Sequence, residues 1–207
     1  MADFHKIKAD ASTMPPRSRA DDAPPVFKRA VASLRAQVVR HEIALENIPA
    51  PQRLAAHSVA MSASVHAGGE EDAAFGRLIV LYDPEGVRDW PGPFRVVAYV
   101  SAELEPDMSA DPLLGQVAWT WLTDALRTKS AGHHTLSGTV TRATTEGFGR
   151  KADQPTTTEL EMRASWTPTE EDDLSGHMAA WLDLLSTAAG LPPVDVADIS
   201  RRSRQES

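Results

Sequence analysis

The side chains with chemical potential in this sequence are carboxylates, histidines and one glycine-bearing loop. Glu103, Glu105, Asp107 and Asp111 form an acidic run, and Glu103 and Glu105 share a strand face, so their carboxylates could converge on a divalent cation or work as a pair. An oxygen cage needs several groups folded around one point, and the glycine and bidentate glutamate of a calcium loop are missing. The run therefore reads as a solvated strand face leading into a helix cap. The histidines, His5, His41, His57, His66, His133, His134 and His177, lack the His-Glu-x-x-His or three-histidine spacing of a zinc site. His57 points with the apolar set of its strand, and His177 lies four residues before Trp181 at the edge of an apolar helix stripe. With Glu103, these two are weak candidates to meet a ligand. A general base also needs a substrate and an orienting carboxylate, and the spacing shows neither. No catalytic residue is assigned, and no metal or cofactor is expected.

Glu146-Gly-Phe-Gly-Arg-Lys151 could cradle an anion through backbone N–H groups beside two cations, but it falls between two strands, the place of a hairpin loop rather than a phosphate-binding strand-to-helix turn. The nucleophile elbow, the Walker loop and the dinucleotide-binding glycine pattern are absent.

The elements that must position these residues follow from periodicity. Asp22 and the Pro24-Pro25 pair open a first helix carrying Phe27, Ala30, Val31, Leu34 and Val38 at helical spacing. Strands follow at about 40 to 48, 54 to 66, 74 to 82 and 94 to 104. Gly68-Gly-Glu-Glu-Asp72 supplies a turn, and Phe94, Val96, Ala98, Val100, Ala102 and Leu104 alternate with polar residues. A helix starts at Asp111-Pro112 and runs to about Lys129. Strands at about 134 to 146 and 157 to 166 come next, and a last helix starts near Pro168, with Thr167 and Glu170 at capping-box spacing, and ends before Gly190. The order α-β-β-β-β-α-β-β-α defines an α+β fold, an antiparallel sheet of about six strands with helices packed on it, in one domain at 23–191 between disordered tails at 1–22 and 192–207.

The helix from Asp111 is apolar over well more than half its circumference. Leu114, Val117, Ala118, Trp121 and Ala125 form one stripe, and Trp119, Leu122 and Leu126 extend apolar surface round the other side. The sheet covers one side. The default cover for the other is the first helix, and the alternative is an exposed patch at Trp119, Leu122 and Leu126 that closes a homodimer or holds a protein partner.

Composition sets the outer bounds. Among 207 residues, 21 Lys and Arg stand against 29 Asp and Glu, a net charge of −8, with no cysteine. The missing thiols remove disulfides, thiolate nucleophiles and cysteine-ligated metals, and the acidic balance makes nucleic acid an unlikely partner. The N-terminus lacks a signal-type apolar stretch and Leu78-Ile-Val-Leu-Tyr82 is far too short to span a bilayer, so no membrane role is expected and the cytoplasm is the simplest location.

Several phrases carry a resemblance: Glu46-Asn-Ile-Pro-Ala-Pro-Gln-Arg-Leu54, Ala102-Glu-Leu-Glu-Pro106, Asp111-Pro-Leu-Leu-Gly115, Trp119-Thr-Trp-Leu-Thr-Asp-Ala-Leu126, Ser137-Gly-Thr-Val-Thr-Arg142, Arg163-Ala-Ser-Trp-Thr-Pro168 and Ala188-Ala-Gly-Leu-Pro-Pro193. Over residues 26 to 193 the chain resembles the actinobacterial domain of unknown function 3000 family, which implies an intracellular actinobacterial protein and brings no activity, cofactor or site residue with it. The residues themselves favour a non-enzymatic interaction or adaptor domain, chaperone-like in its order of elements. The alternative is a small-ligand binder or an enzyme of undescribed type with a pocket between sheet and helices.

Overall fold

Strict alternation along Phe94–Leu104 becomes the central strand of a six-stranded sheet, buried on one face at every second residue. A computed structural model describes residues 23–51, 53–67, 73–86, 90–109 and 111–193, the side chains of 106 and 107 excepted. Asp22, the turn at 68–72 and the expected tails, apart from residues 192 and 193, lie outside the described residues.

The strands are β1 (Ile43–Ile48), β2 (His57–Val65), β3 (Ala74–Tyr82), β4 (Phe94–Leu104), β5 (His133–Thr145) and β6 (Thr157–Pro168). The helices are α1 (Pro25–Arg35), α2 (Pro106–Ser109), α3 (Leu114–Thr128) and α4 (Ser175–Ala188). The order across the sheet is β1-β2-β3-β4-β6-β5 with every neighbour antiparallel. The first four strands are a meander. α3 then carries the chain past one vacant position to the far edge, and β6 returns to fill the gap.

α3 and α4 lie on one face of the sheet. That face is apolar because β2, β3, β4 and β6 each aim their alternating set at it: Met61, Leu78, Val96 and Met162 are all buried. α4 lies nearest, with Trp181 and Leu185 seated on Gly76 of β3, where a Cβ would come within 2.8 Å of Leu185 Cδ2. α3 packs beside α4, tied by Lys129 Nζ to Asp183 Oδ2 at 2.8 Å, and α1 packs on the other side of α4. Phe27 of α1 enters an aromatic cluster with His57, Tyr82 and Phe94, in which the Tyr82 and Phe94 ring centroids are 4.6 Å apart.

The helix starts differ from the expectations. Asp111 Oδ1 accepts the Leu113 N–H at 2.8 Å in a turn that precedes α3, and a separate one-turn α2 comes before it. The capping box of Thr167 and Glu170 does not form, because β6 continues through Pro168 and Thr167 is buried opposite His134. α4 begins at Ser175 instead. Its first turn is held by Asp173 Oδ1, which accepts the Ser175 N–H at 2.9 Å, and by Ser33 Oγ of α1, which accepts the Leu174 N–H at 2.8 Å. A neighbouring helix thus helps to satisfy an orphan donor that a local cap usually takes. Gly190, at φ +67°, does end α4 in the left-handed conformation that glycine favours. No helix of the described residues is long and apolar enough to cross a membrane.

Candidate functional site

The helices leave the other face of the sheet uncovered over much of its area. Strand pairing sets its side chains in rows that run across the strands: Ser62, Arg77, Tyr99, Arg163 and Thr139 form one, and Ser64, Phe75, Ser101, Glu161 and Thr141 the next. Ile79 and Val97 sit side by side in a third. Phe75, Ile79, Val97 and Tyr99 are each half-buried, so the middle of the face is apolar without being closed.

Arginines flank that centre. The Arg77 guanidinium lies 5.4 Å from the Phe75 ring centroid, and that of Arg163 lies 5.5 Å from Tyr99. Arg163 donates to Glu161 Oε2 at 2.9 Å, and the Tyr99 hydroxyl donates to Glu161 Oε1 at 3.2 Å, so this carboxylate is taken from both sides. Arg77 forms no ion pair with a carboxylate among the described residues.

Arg95 is a functional-looking group that sequence reasoning missed. Its Nη1 donates to Thr135 O at 3.1 Å, Thr135 Oγ1 at 2.8 Å and Thr167 Oγ1 at 3.2 Å, and Nη2 donates to Ser165 Oγ at 2.7 Å. All four acceptors are neutral, and partial burial lowers its pKa below the usual arginine value. The register between β5 and β6 slips between His134 and Ser137, and Thr135 stands at φ +50° within that bulge. Arg95 reaches from β4 across β6 to hold it. In the sequence Arg95 is one more polar residue in an alternating strand, and only the pairing shows what it spans.

At the far end of the same face lies a depression of about 310 Å³ lined by Phe75, Ser101, Glu103, Thr145, Thr157 and Glu159 among others. Glu103 and Glu159 are direct cross-strand partners, a juxtaposition of like charges that costs stability unless something intervenes. This depression lies on the helix-free face and is distinct from the pocket expected between sheet and helices.

The three weak ligand candidates do not converge. His57 is half-buried at 5.6 Å from the Phe27 ring, in the aromatic cluster. His177 is buried, and its Nδ1 accepts the Trp166 indole N–H at 3.0 Å, which leaves the ring proton to Nε2. Burial, with the nearby charge of His133, pushes its pKa down to about 4 against a partial restoring pull from Asp173. The strands of His57 and Trp166 are separated by three strand spacings, about 14 Å, while Glu103 lies about 30 Å along β4 and on the other face.

The patch expected on α3 is corrected in two of its three members. Leu122 and Leu126 are fully buried, because α4 rather than α1 covers the second side of α3. Trp119 alone stays half-buried, packed on Gly138 of β5, where an added Cβ would come within 2.8 Å of its Cζ3. The glycine-bearing segment at 146–151 is the exposed β5–β6 loop, ending in a turn of 3-10 helix at Gly149–Lys151. Among the described residues no three His, Asp or Glu side chains gather as a metal site would require.

Fold and site together define an α+β protein in which one sheet face is sealed by helices and the other is presented, apolar at its centre and lined by arginine. No curated protein and no solved structure matches the chain. A family model does, over residues 23–197, and the chain belongs to that family, described as protein of unknown function (DUF3000).

Proposed function

We propose that this is a cytoplasmic, non-catalytic interaction domain that uses the helix-free sheet face to hold an extended, acidic segment of another protein bearing aliphatic or aromatic side chains. One observation supports the reading above others: Phe75, Ile79, Val97 and Tyr99 form a half-exposed apolar centre beside Arg77, whose charge meets no carboxylate among the described residues. Apolar anchors would fill the centre and acidic side chains would meet the cations, the division of labour usual in recognition. The absence of cysteine accords with a reducing compartment.

The test is selection from a library of random peptides displayed on phage. Enriched peptides combine Asp or Glu with apolar residues, and Arg77→Glu weakens their binding about tenfold, the effect of reversing one close charge. Enrichment without acidic bias, or binding indifferent to Arg77→Glu, overturns it.

A ligand-binding reading has one observation of its own, the Glu103–Glu159 pair in the depression, which suits a small organic cation. A rise in melting temperature with polyamines, lost in Glu103→Gln, would favour it.

A further inference from the structure

We infer that β5 is a homodimerisation edge, pairing antiparallel with β5 of a second copy so that two six-stranded sheets become one of twelve. The observation is separate from the sheet-face reading and concerns how the protein treats its two edges.

An edge strand offers a row of unpaired N–H and C=O groups to any other strand, and monomeric proteins blunt it with short length, charge or proline. β1 is blunted in each way: it is six residues long, it carries Glu46, and it lies between Glu42 and the prolines Pro49 and Pro51. β5 is blunted far less: its bulge is confined to 134–137 and its single permanent charge is Arg142. It runs thirteen residues, His133–Thr145, without a carboxylate, a lysine or a proline. Among the described residues, its backbone bonds as a strand only to β6, so about half of its N–H and C=O groups face outward.

The chemistry of β5 selects a copy of itself. The chain carries a net charge of −8, so most faces of two copies repel each other. β5 is free of acid, and the one permanent charge on it, Arg142, is turned back to Ser109 O at 3.0 Å and Asp111 O at 3.2 Å. Beyond the bulge, Ser137 to Thr145 pair regularly with β6. A twofold axis at the centre of that stretch sets Thr141 against its own copy, Thr139 against Ala143, Val140 against Arg142 and Ser137 against Thr145. No like charges meet, and hydroxyl and β-branched residues, which pair well across strands, predominate. A threonine-rich strand that opposes no charge to itself is self-complementary, as a twofold interface requires.

The experiment is light scattering on the full chain across about 1 to 100 µM, on the wild type and on Thr141→Lys and Thr141→Glu. The wild type shifts from monomer to dimer. Each variant weakens the dimer about fivefold, the effect of facing like charges across strands, and an equimolar mixture of the two recovers a heterodimer. Because the chain has no cysteine, Thr141→Cys places one thiol at the axis, and mild oxidation gives a covalent dimer, whereas Ala44→Cys on β1 does not. Circular dichroism verifies each fold, and if the charged variants unfold the cysteine pair still decides. A monomer throughout the range, a dimer unaffected by Thr141→Lys and Thr141→Glu, or equal cross-linking from Ala44→Cys overturns the assignment.

Discussion

Acid should unfold this protein partly through one histidine. His177 is buried with its Nδ1 occupied by the Trp166 indole proton, so protonation would set two donors against each other in the interior. Its pKa falls from the ordinary 6.5 to about 4. Between those values the unfolded chain binds a proton that the folded chain refuses. Stability from this group is therefore complete above pH 6.5 and is lost as pH drops toward 4. The difference of 2.5 units, at 1.36 kcal/mol each, is about 3 kcal/mol, a large part of a typical folding free energy. Urea unfolding followed by tryptophan fluorescence at pH 7, 6, 5 and 4, on wild type and His177→Asn, isolates the term. Asparagine keeps an oxygen acceptor near the place of Nδ1 and does not titrate. Glu42 and Asp173, whose pKa values are lowered by hydrogen bonds, also lose stability toward low pH, but both remain in the variant and largely cancel in the comparison. The wild type should lose about 3 kcal/mol more than His177→Asn between pH 7 and 4. Parallel curves would mean that the buried ring accepts its proton freely, and would refute the reasoning.

Three further changes probe the frame around the site. Gly76→Val should lower stability by about 1–3 kcal/mol in denaturant titration, because the new side chain enters the seat of Leu185 and Trp181. Ser33→Ala removes the acceptor that α1 lends to the Leu174 N–H at 2.8 Å, and should cost about 1 kcal/mol with amide exchange accelerated at the start of α4. Arg95→Met leaves Thr135, Ser165 and Thr167 without their shared donor. A loss of about 2 kcal/mol should come with NMR shift changes concentrated at the 134–137 bulge, and changes spread evenly through the sheet would contradict the clamp.

The order of elements was legible because each strand writes its burial at period two: β3 and β4 match the sequence reading to the residue. Helix starts were less legible, since their signals are local and tertiary pairing overrides them. Thr167 and Glu170 spell a capping box, yet Thr167 stays in the sheet opposite His134 and the cap for α4 is lent by Ser33, 141 residues away. The helix at 114–128 packs on α4 and on β5 while Val117 of its expected stripe stays exposed, and no pattern within it names which helix supplies the cover. The candidate face was the least visible part. Phe75, Arg77, Tyr99 and Arg163 come from three strands and become neighbours only through register, which alternation does not encode.

The position of α4 has a consequence for synthesis. The helix that seals the apolar face is the last element of the domain, and Trp181 closes over Gly76 of a strand made more than a hundred residues earlier. At about 5–20 residues per second, the β1–β4 meander waits roughly 5–20 s on the ribosome with Met61, Leu78 and Val96 lacking their cover. Such a nascent chain exposes the kind of apolar surface that chaperones shield. Ribosome-stalled chains ending before residue 175 should remain protease-sensitive, and protection should arise in one step once α4 has cleared the exit tunnel.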